Sequence, residues 1–211
     1  MNKHVIVLGA GNAAFAAAVS ARQNGAKVTM IERAPEDEAG GNTRFTAGAI
    51  RCVYDGVDDL RAIIPDLTDL WRVTDYRTDP DLCELLVTRS RETIRWMKDC
   101  GIKFAPIWGR QAFQVDGMFM FWGGLTVEAW GGGEGLYEGW QAVAEKAGIK
   151  IRFGTRAVSL LVNDSGVIGV KLKSEGKSED LLGEAVIIAT GGFQANTEWR
   201  TRYLGPSWDL A

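Results

Sequence analysis

Histidine is almost absent from this sequence: His4 is the only one in 211 residues. General acid–base chemistry and metal binding through clustered imidazoles are therefore excluded within the chain. His4 falls at the start of the first predicted strand, where a strand-end position without a chemical role is the expectation. Cysteine is scarce as well. Cys52, Cys83 and Cys100 are odd in number and show no C-x-x-C spacing. That argues for reduced thiols in a cytoplasmic protein and against a zinc site, so no metal is expected. Each cysteine reads as buried or incidental rather than catalytic. No apolar run approaches the roughly 20 residues of a membrane span. The short apolar run Val5 to Leu8 leads directly into glycines, unlike a signal peptide. Basic charge is not in excess either: the net charge is −3 and the pI near 5.3, which leaves no field for nucleic acid. Internal repeats and low-complexity segments are missing.

What is present is an ample apolar content of 46% and one strongly organised opening stretch, residues 4 to 33. It reads as a strand (Val5 to Leu8), a glycine turn, a small-residue helix (Ala13 to Gln23) and a second strand ending in an acid. The turn is Gly9-Ala10-Gly11-Asn12-Ala13-Ala14, a G-x-G-x-x-A. Gly9 allows the tight turn, Gly11 lets backbone approach a pyrophosphate, and Ala14 keeps the helix close to the sheet. The helix N-terminus offers free N–H groups and partial positive charge to that pyrophosphate. Glu32 ends the second strand, where its carboxylate can accept hydrogen bonds from ribose hydroxyls. A 2′-phosphate would be repelled there, which disfavours NADP. The expectation is a dinucleotide site in a βαβ unit over residues 1–34.

Residues 34 to 51 hold a second glycine-dense segment, Gly40-Gly41-Asn42-Thr43. It can run flat against a ligand or serve as an ordinary flexible loop; taken alone, the loop is favoured. From Asp58 the pattern turns helical, with Leu60, Ile63 and Ile64, until Pro65 breaks it. A better helix is predicted from Asp79-Pro80 to about Cys100, with Asp79 at the N-cap, Pro80 at N1 and Gly101 at the C-cap. Leu82, Leu85, Leu86, Ile94 and Met97 make its apolar side, and its charged residues the solvated side. Residues 104 to 133 are rich in aromatics and glycine; Trp108, Phe113, Phe119, Phe121, Trp122 and Trp130 are read as packing under a loop, with a ligand wall or partner surface as the alternative. A helix is expected from about Glu134 to Ala147, with Leu136, Trp140, Val143, Ala144 and Ala147 as its stripe. The last third changes period. Ile149 to Phe153 is a short strand, Ala157 to Val162 and Val167 to Lys173 form a hairpin, and Ser174 to Glu179 is a polar turn. Ala185 to Ala189 is a buried strand running into Thr190-Gly191-Gly192.

Together these motifs resemble the N-terminal part of flavoproteins in the succinate dehydrogenase/fumarate reductase flavoprotein family. The resemblance is carried by Gly9 to Ala14 with Glu32-Arg33, by Gly40 to Thr43 with Ala47-Gly48-Ala49, by Ala157-Val158, and by Ala189-Thr190-Gly191-Gly192-Phe193. Within the family, GGNTRFTAGAIR and the run from Gly131 to Gly135 are most similar to FAD-dependent tricarballylate dehydrogenases. The implied fold is α/β: a glutathione-reductase-type, Rossmann-like FAD-binding domain with a parallel sheet, a three-stranded β-meander and a helical insertion. The insertion would run from about 50 to 148, and the meander and closing strand from 149 to 195. An NAD-binding Rossmann domain would instead continue with further parallel βαβ units after the second strand.

The resemblance also implies which residues hold non-covalent FAD. Gly9, Ala10, Gly11, Asn12 and Ala13 would cradle the pyrophosphate, and Glu32, with Arg33 beside it, the adenosine ribose. Gly40, Gly41, Asn42 and Thr43 with Ala47, Gly48 and Ala49 would run along the ribityl chain and flavin, which turns the reading of that segment from loop to site. Val158 would meet the adenine through its backbone, and Ala189, Thr190 and Gly191 would close the site. The implied activity is dehydrogenation or reduction of a small polycarboxylate such as tricarballylate, by hydride transfer to or from flavin N5. The partners are that carboxylate and an electron acceptor. A truncated FAD-binding module without activity, and a fumarate reductase or ketosteroid dehydrogenase-like flavoprotein, are the alternatives. Family members are longer, with a cap domain and a C-terminal FAD segment that carry the catalytic residues. The expectation is thus an N-terminal portion that is inactive alone. Arg44 and Arg51 are the local candidates for an anionic substrate, although loop ion pairing is the preferred reading of both.

Overall fold

The computed structural model describes residues 3–52, 79–121 and 125–210. In chain order the elements are β1 (His4–Leu8), α1 (Asn12–Gln23), β2 (Lys27–Ile31), α2 (Gly41–Phe45), β3 (Ala49–Cys52), α3 (Pro80–Cys100), β4 (Phe104–Pro106), α4 (Trp108–Gln111), β5 (Ala112–Val115), β6 (Met118–Phe121), β7 (Leu125–Ala129), α5 (Gly132–Lys146), β8 (Lys150–Arg152), β9 (Arg156–Asn163), β10 (Gly166–Ser174), β11 (Lys177–Leu182), β12 (Ala185–Ile188) and α6 (Thr197–Leu204). A single turn of 3₁₀ helix covers Glu36–Glu38. The helical pattern read from Asp58 to Pro65 lies outside the described residues, as does Trp122. The chain divides into two compact units, Met1–Asn42 with Ala144–Ala211, and Thr43–Val143.

The first unit is built on a four-stranded parallel sheet in the order β12-β1-β2-β8. Residues alternate between its faces. Ile6, Leu8 and Ile31 share one face and form a fully buried cluster with Val170 and Leu172 of β10, joined by Ala157, Leu181 and Val186. On α1, Ala14, Phe15, Ala18 and Val19 are buried, and their i, i+1, i+4, i+5 spacing makes the stripe with which α1 packs on β1 and β2. The parallel sheet is therefore covered by a helix on one side and by the antiparallel sheet β11-β10-β9 on the other.

In the first unit two strand assignments differ from the sequence reading, and the stretch read as a helical insertion holds, among the described residues, five strands, β3 to β7. Ile149 to Phe153, expected beside the hairpin, contributes β8 to the parallel sheet, where Thr29 to Ile31 pair with Lys150 to Arg152. The supposed polar turn from Ser174 to Glu179 turns only at Glu175-Gly176, and Lys177–Leu182 is the third antiparallel strand. Its mostly polar, exposed residues carried no alternating apolar signal. Its pairing comes instead from the ladder to β10 and the Lys171–Asp180 ion pair.

In the second unit, β3, β7 and β4 form an antiparallel sheet in the order β3-β7-β4. Helix α3 starts as read: the Asp79 carboxylate accepts the Leu82 N–H at 3.1 Å, and Gly101 ends the helix at φ +120°. Its apolar side is only partly used. Val87 and Met97 are buried, whereas Leu82, Leu85 and Leu86 are exposed. The aromatic stretch is also not simply loop packing. Met118, Phe119 and Met120 of the β5-β6 hairpin are exposed, as are Trp108 and Trp130; the Trp108 and Phe119 rings lie 5.3 Å apart. Trp140 of α5 is fully buried against Trp96.

The run Gly131-Gly132-Gly133 has a local reason. A Cβ on Gly133 would strike the carbonyl oxygens of Thr43 and Thr46 and approach that of Arg44 at 2.9 Å. The end of α2 thus docks onto the start of α5 backbone to backbone, fixed by the Gly133 N–H bond to the Thr46 carbonyl.

Candidate functional site

The parallel order β12-β1-β2-β8 places the carboxyl ends of β12, β1 and β2 side by side. The chain leaves β1 toward β2 and β8, then returns to its other side with β12. The sheet therefore reverses direction next to β1, the position at which open α/β sheets bind ligands. A cleft of about 590 Å³ opens there, lined by Leu8, Gly9, Ile31, Glu32, Arg33, Thr155, Arg156, Ala157, Thr190 to Phe193, Ala195, Asn196 and Trp199.

Its floor is the turn after β1. Gly9 has φ +113°, and a Cβ there would collide with the Ala189 carbonyl, whose carbon would lie at 3.0 Å. Glycine is thus required twice, by backbone conformation and by the approach of the second glycine motif. The Gly9 N–H is held by the Ile31 carbonyl at 2.8 Å, and the Ala189 N–H by that of Leu8 at 2.9 Å. Helix α1 begins immediately beyond, with Gly11 as an N-cap that has no capping side chain and with no acid in the first turn. Such a helix end presents N–H groups and partial positive charge with no side chain competing for them.

The wall at β2 is Glu32. Its backbone is pinned on both sides, N–H to the Arg152 carbonyl and carbonyl to the Thr155 N–H, each 2.9 Å. One carboxylate oxygen accepts the Ala34 N–H at 2.9 Å, which fixes the side chain's stem. At the start of β9 the ladder pairs Leu172 with Ala157 and Lys171 with Ser159. Val158 is skipped, a bulge that leaves its backbone groups out of the ladder.

The predicted residues thus separate by position. Gly9, Glu32, Arg33, Thr190 and Gly191 line the cleft together. Ala10, Gly11, Asn12, Ala13 and Ala189 belong to the same turns, behind or beside that lining; Ala10 is fully buried. Val158 is exposed and next to the lining residue Ala157. Gly40, Gly41 and Asn42 close the N-terminal segment of the first unit, with Gly40 at φ +111°. Thr43, Ala47, Gly48 and Ala49 belong to the second unit. There Gly48 is held against Gly132, to whose carbonyl group a Cβ would come within 2.6 Å. Arg44 is ion-paired with Glu134 at 3.1 Å and lies over the Tyr137 ring. Arg51 lies in β3.

Sequence reasoning missed Thr155, Arg156, Phe193, Ala195, Asn196 and Trp199. The last three belong to a helix start whose signal was legible: Asn196 is an N-cap whose side chain accepts the Trp199 N–H at 2.9 Å. His4 does have a structural task. One ring nitrogen contacts the Leu182 carbonyl and the other the Thr29 hydroxyl, both at 2.9 Å. Among the described residues no group of metal-ligating side chains is found, and no helix is long and apolar enough to cross a membrane.

The profile of the FAD binding domain family matches residues 4–208. The chain belongs to that family, among the succinate dehydrogenase/fumarate reductase flavoproteins. FAD is its cofactor. The domain is 32% identical over 209 residues to a fumarate reductase (cytochrome) of Shewanella frigidimarina, covering 96% of this chain and 35% of that protein. It is 27% identical over 216 residues to a vinyl phenol reductase of Lactiplantibacillus plantarum, covering 96% and 42% respectively. A flavocytochrome c3 fumarate reductase in its open conformation shares the fold, with a TM-score of 0.73, 24% identity, and coverage of 96% of this chain and 36% of that one. The chain spans about a third of the length of the first of these relatives. The relatives named are reductases, and the resemblance to tricarballylate dehydrogenases in particular finds no support in them.

The residues of the first unit fit the dinucleotide. The uncapped helix end, the Gly9 approach that no side chain could enter, and a pinned carboxylate at the end of β2 are the donor and acceptor set that a pyrophosphate and a ribose require.

Proposed function

We propose that this chain is the FAD-binding portion of a cytoplasmic oxidoreductase of the glutathione-reductase type that dehydrogenates or reduces a small carboxylate, fumarate-like or tricarballylate-like. The observation that carries the reading is the cleft at the carboxyl ends of β12, β1 and β2, where both glycine turns and Glu32 meet. When bound, FAD supplies the redox chemistry, its N5 taking up or giving a hydride. The N–H groups at the start of α1 bind the pyrophosphate. Glu32 accepts hydrogen bonds from the adenosine ribose, with Arg33 beside it, and the unpaired backbone of Val158 meets the adenine. Gly40 to Thr43 and Ala47 to Ala49 follow the ribityl chain and flavin, and Ala189 to Gly191 close over the dinucleotide. Arg44, which pairs with Glu134, and Arg51, in β3, are the local candidates for a substrate carboxylate. An electron acceptor is the second reactant.

The test is direct. The purified chain carries the visible absorbance of oxidised flavin, and Glu32→Gln weakens FAD about tenfold, as loss of a charged hydrogen-bond acceptor implies. Unchanged affinity in that variant would overturn the site. Because the chain spans about a third of that first relative, a second reading is an FAD-binding module without turnover. Dehydrogenation of a dicarboxylate or tricarboxylate with an artificial electron acceptor by this chain alone would exclude it.

A further inference from the structure

Three aromatic rings cluster beside the cleft, and no motif accounts for Trp199 and Tyr203. Phe193 follows the second glycine turn, and Trp199 and Tyr203 lie one turn apart on α6. Their ring centroids are mutually close: 6.0 Å for Phe193–Trp199, 5.8 Å for Phe193–Tyr203 and 5.9 Å for Trp199–Tyr203. Phe193 and Trp199 line the cleft, whereas Tyr203 does not. Trp199 is nevertheless 48% exposed. A tryptophan held by two aromatic neighbours yet half open, at the mouth of a ligand cleft, is placed to stack rather than to fill a core.

We propose that Trp199, backed by Phe193 and Tyr203, is the stacking wall for the purine ring of the bound dinucleotide. The proposal rests on the FAD reading above. The end of the ligand follows from what else lines the cleft. Glu32 and the Thr155 to Ala157 segment are there, and no residue from 40 to 49 is. This is the adenosine half of the site, and its π-faced group is a purine. The wall is also fixed before the ligand arrives. The Asn196 side chain accepts the Trp199 backbone N–H and so caps the helix that carries the ring, and Phe193 and Tyr203 pack on the ring itself. Arg200 ties the segment down through the Gln194 carbonyl at 2.6 Å and the Trp208 carbonyl at 3.0 Å. A side chain already ordered by its neighbours loses little freedom on binding, so the stacking contact is retained in the affinity.

The test uses the full chain freed of flavin and titrated with FAD and, separately, with ADP. Stacking of a base on an aromatic side chain corresponds to roughly 5- to 150-fold in affinity. Trp199→Leu, which keeps apolar bulk but removes the π-face, is expected to weaken both ligands by about tenfold or more. Trp199→Phe restores most of that loss. ADP quenches the tryptophan fluorescence of the wild type, and Trp199→Phe abolishes the quench. If Trp199→Leu binds ADP and FAD as tightly as wild type while Glu32→Gln does not, the stacking wall is overturned and the FAD site stands. If neither variant loses affinity, the FAD site falls with it.

Discussion

Gly9→Ala is the sharpest perturbation the fold offers, because it separates two costs that glycine positions usually combine. At φ +113° an alanine is strained, a cost of about 1–3 kcal/mol. Its methyl group must also enter the space of the Ala189 carbonyl, whose carbon would lie at 3.0 Å. Neither neighbour is a flexible side chain, so relief requires β1 and β12 to part, and forced overpacking adds about 1–3 kcal/mol. The sum is about 2–6 kcal/mol, or about 5–20 °C in Tm for a chain of this size. Gly25→Ala is the control. Its φ of +84° imposes the conformational cost, but a Cβ there meets nothing within 4 Å, so the loss is about 1–2 kcal/mol. Urea unfolding of the two variants, followed by circular dichroism, measures the difference. FAD titration adds a second readout: Gly9→Ala loses affinity, because the turn proposed to face the pyrophosphate has moved, while Gly25→Ala binds as wild type. Equal stability of the two variants would refute the close approach of the two glycine motifs.

Two further perturbations test the rest of the frame. Asp79→Ala removes the N-cap of α3, whose carboxylate accepts the Leu82 N–H; the loss is about 1 kcal/mol, read by chemical denaturation and restored by Asp79→Ser. The Glu184 carboxyl titrates below its ordinary range because it accepts the His4 N–H, and Glu179 does so because Arg152 donates to it. Carboxylates with depressed folded pKa values stabilise above the ordinary glutamate pKa, and that contribution is lost as pH falls through the folded value. Glu184→Gln therefore shows a shallower loss of Tm between neutral and acid pH than wild type, and a parallel pair of curves would refute the assignment.

The parts legible in the sequence were those specified by local chemistry. Asp79-Pro80 declared a helix start through a cap and a fixed φ, and Gly101 declared its end. Ala157 to Val162 and Val167 to Lys173 declared a hairpin. The Gly9 turn was legible because its spacing is mechanical. What escaped was set by partners distant in sequence. Residues 174 to 179 are polar and read as a turn, and only the ladder to β10 makes Lys177–Leu182 a strand. Lys150 to Arg152 alternate as an antiparallel strand would, and they join the parallel sheet because β2 has a free edge there. Leu82, Leu85 and Leu86 keep a helical apolar spacing that does not translate into burial. The run from Gly131 to Gly135 carried part of the resemblance, but the carbonyls of Thr43, Arg44 and Thr46 that come close to Gly133 were unknowable from the run itself. Trp199 lacked a motif, and its place at the cleft depends on where Thr190 to Asn196 lead after β12.

The cleft consequently cannot be a property of the opening βαβ unit alone. Its second turn is delivered by β12, and Gly9 faces Ala189 only if β1 and β12 pair in one register, Val5 with Ala185 through Leu8 with Ile188. A slip of one residue would remove the Ala189 carbonyl from Gly9 and turn Val186 away from the core it shares with Ile6 and Leu8. The register is locked at the far end of the strands. His4 donates its N–H to Glu184, 180 residues away, at 2.6 Å and receives the Glu184 N–H on its carbonyl at 2.9 Å. Its ring spans from Leu182 to Thr29. The one histidine is remote from the chemistry, yet it fixes the alignment on which the glycine turns depend. A dinucleotide that binds only the aligned arrangement stabilises that register by mass action, so cofactor and strand pairing reinforce each other through the same four backbone pairs.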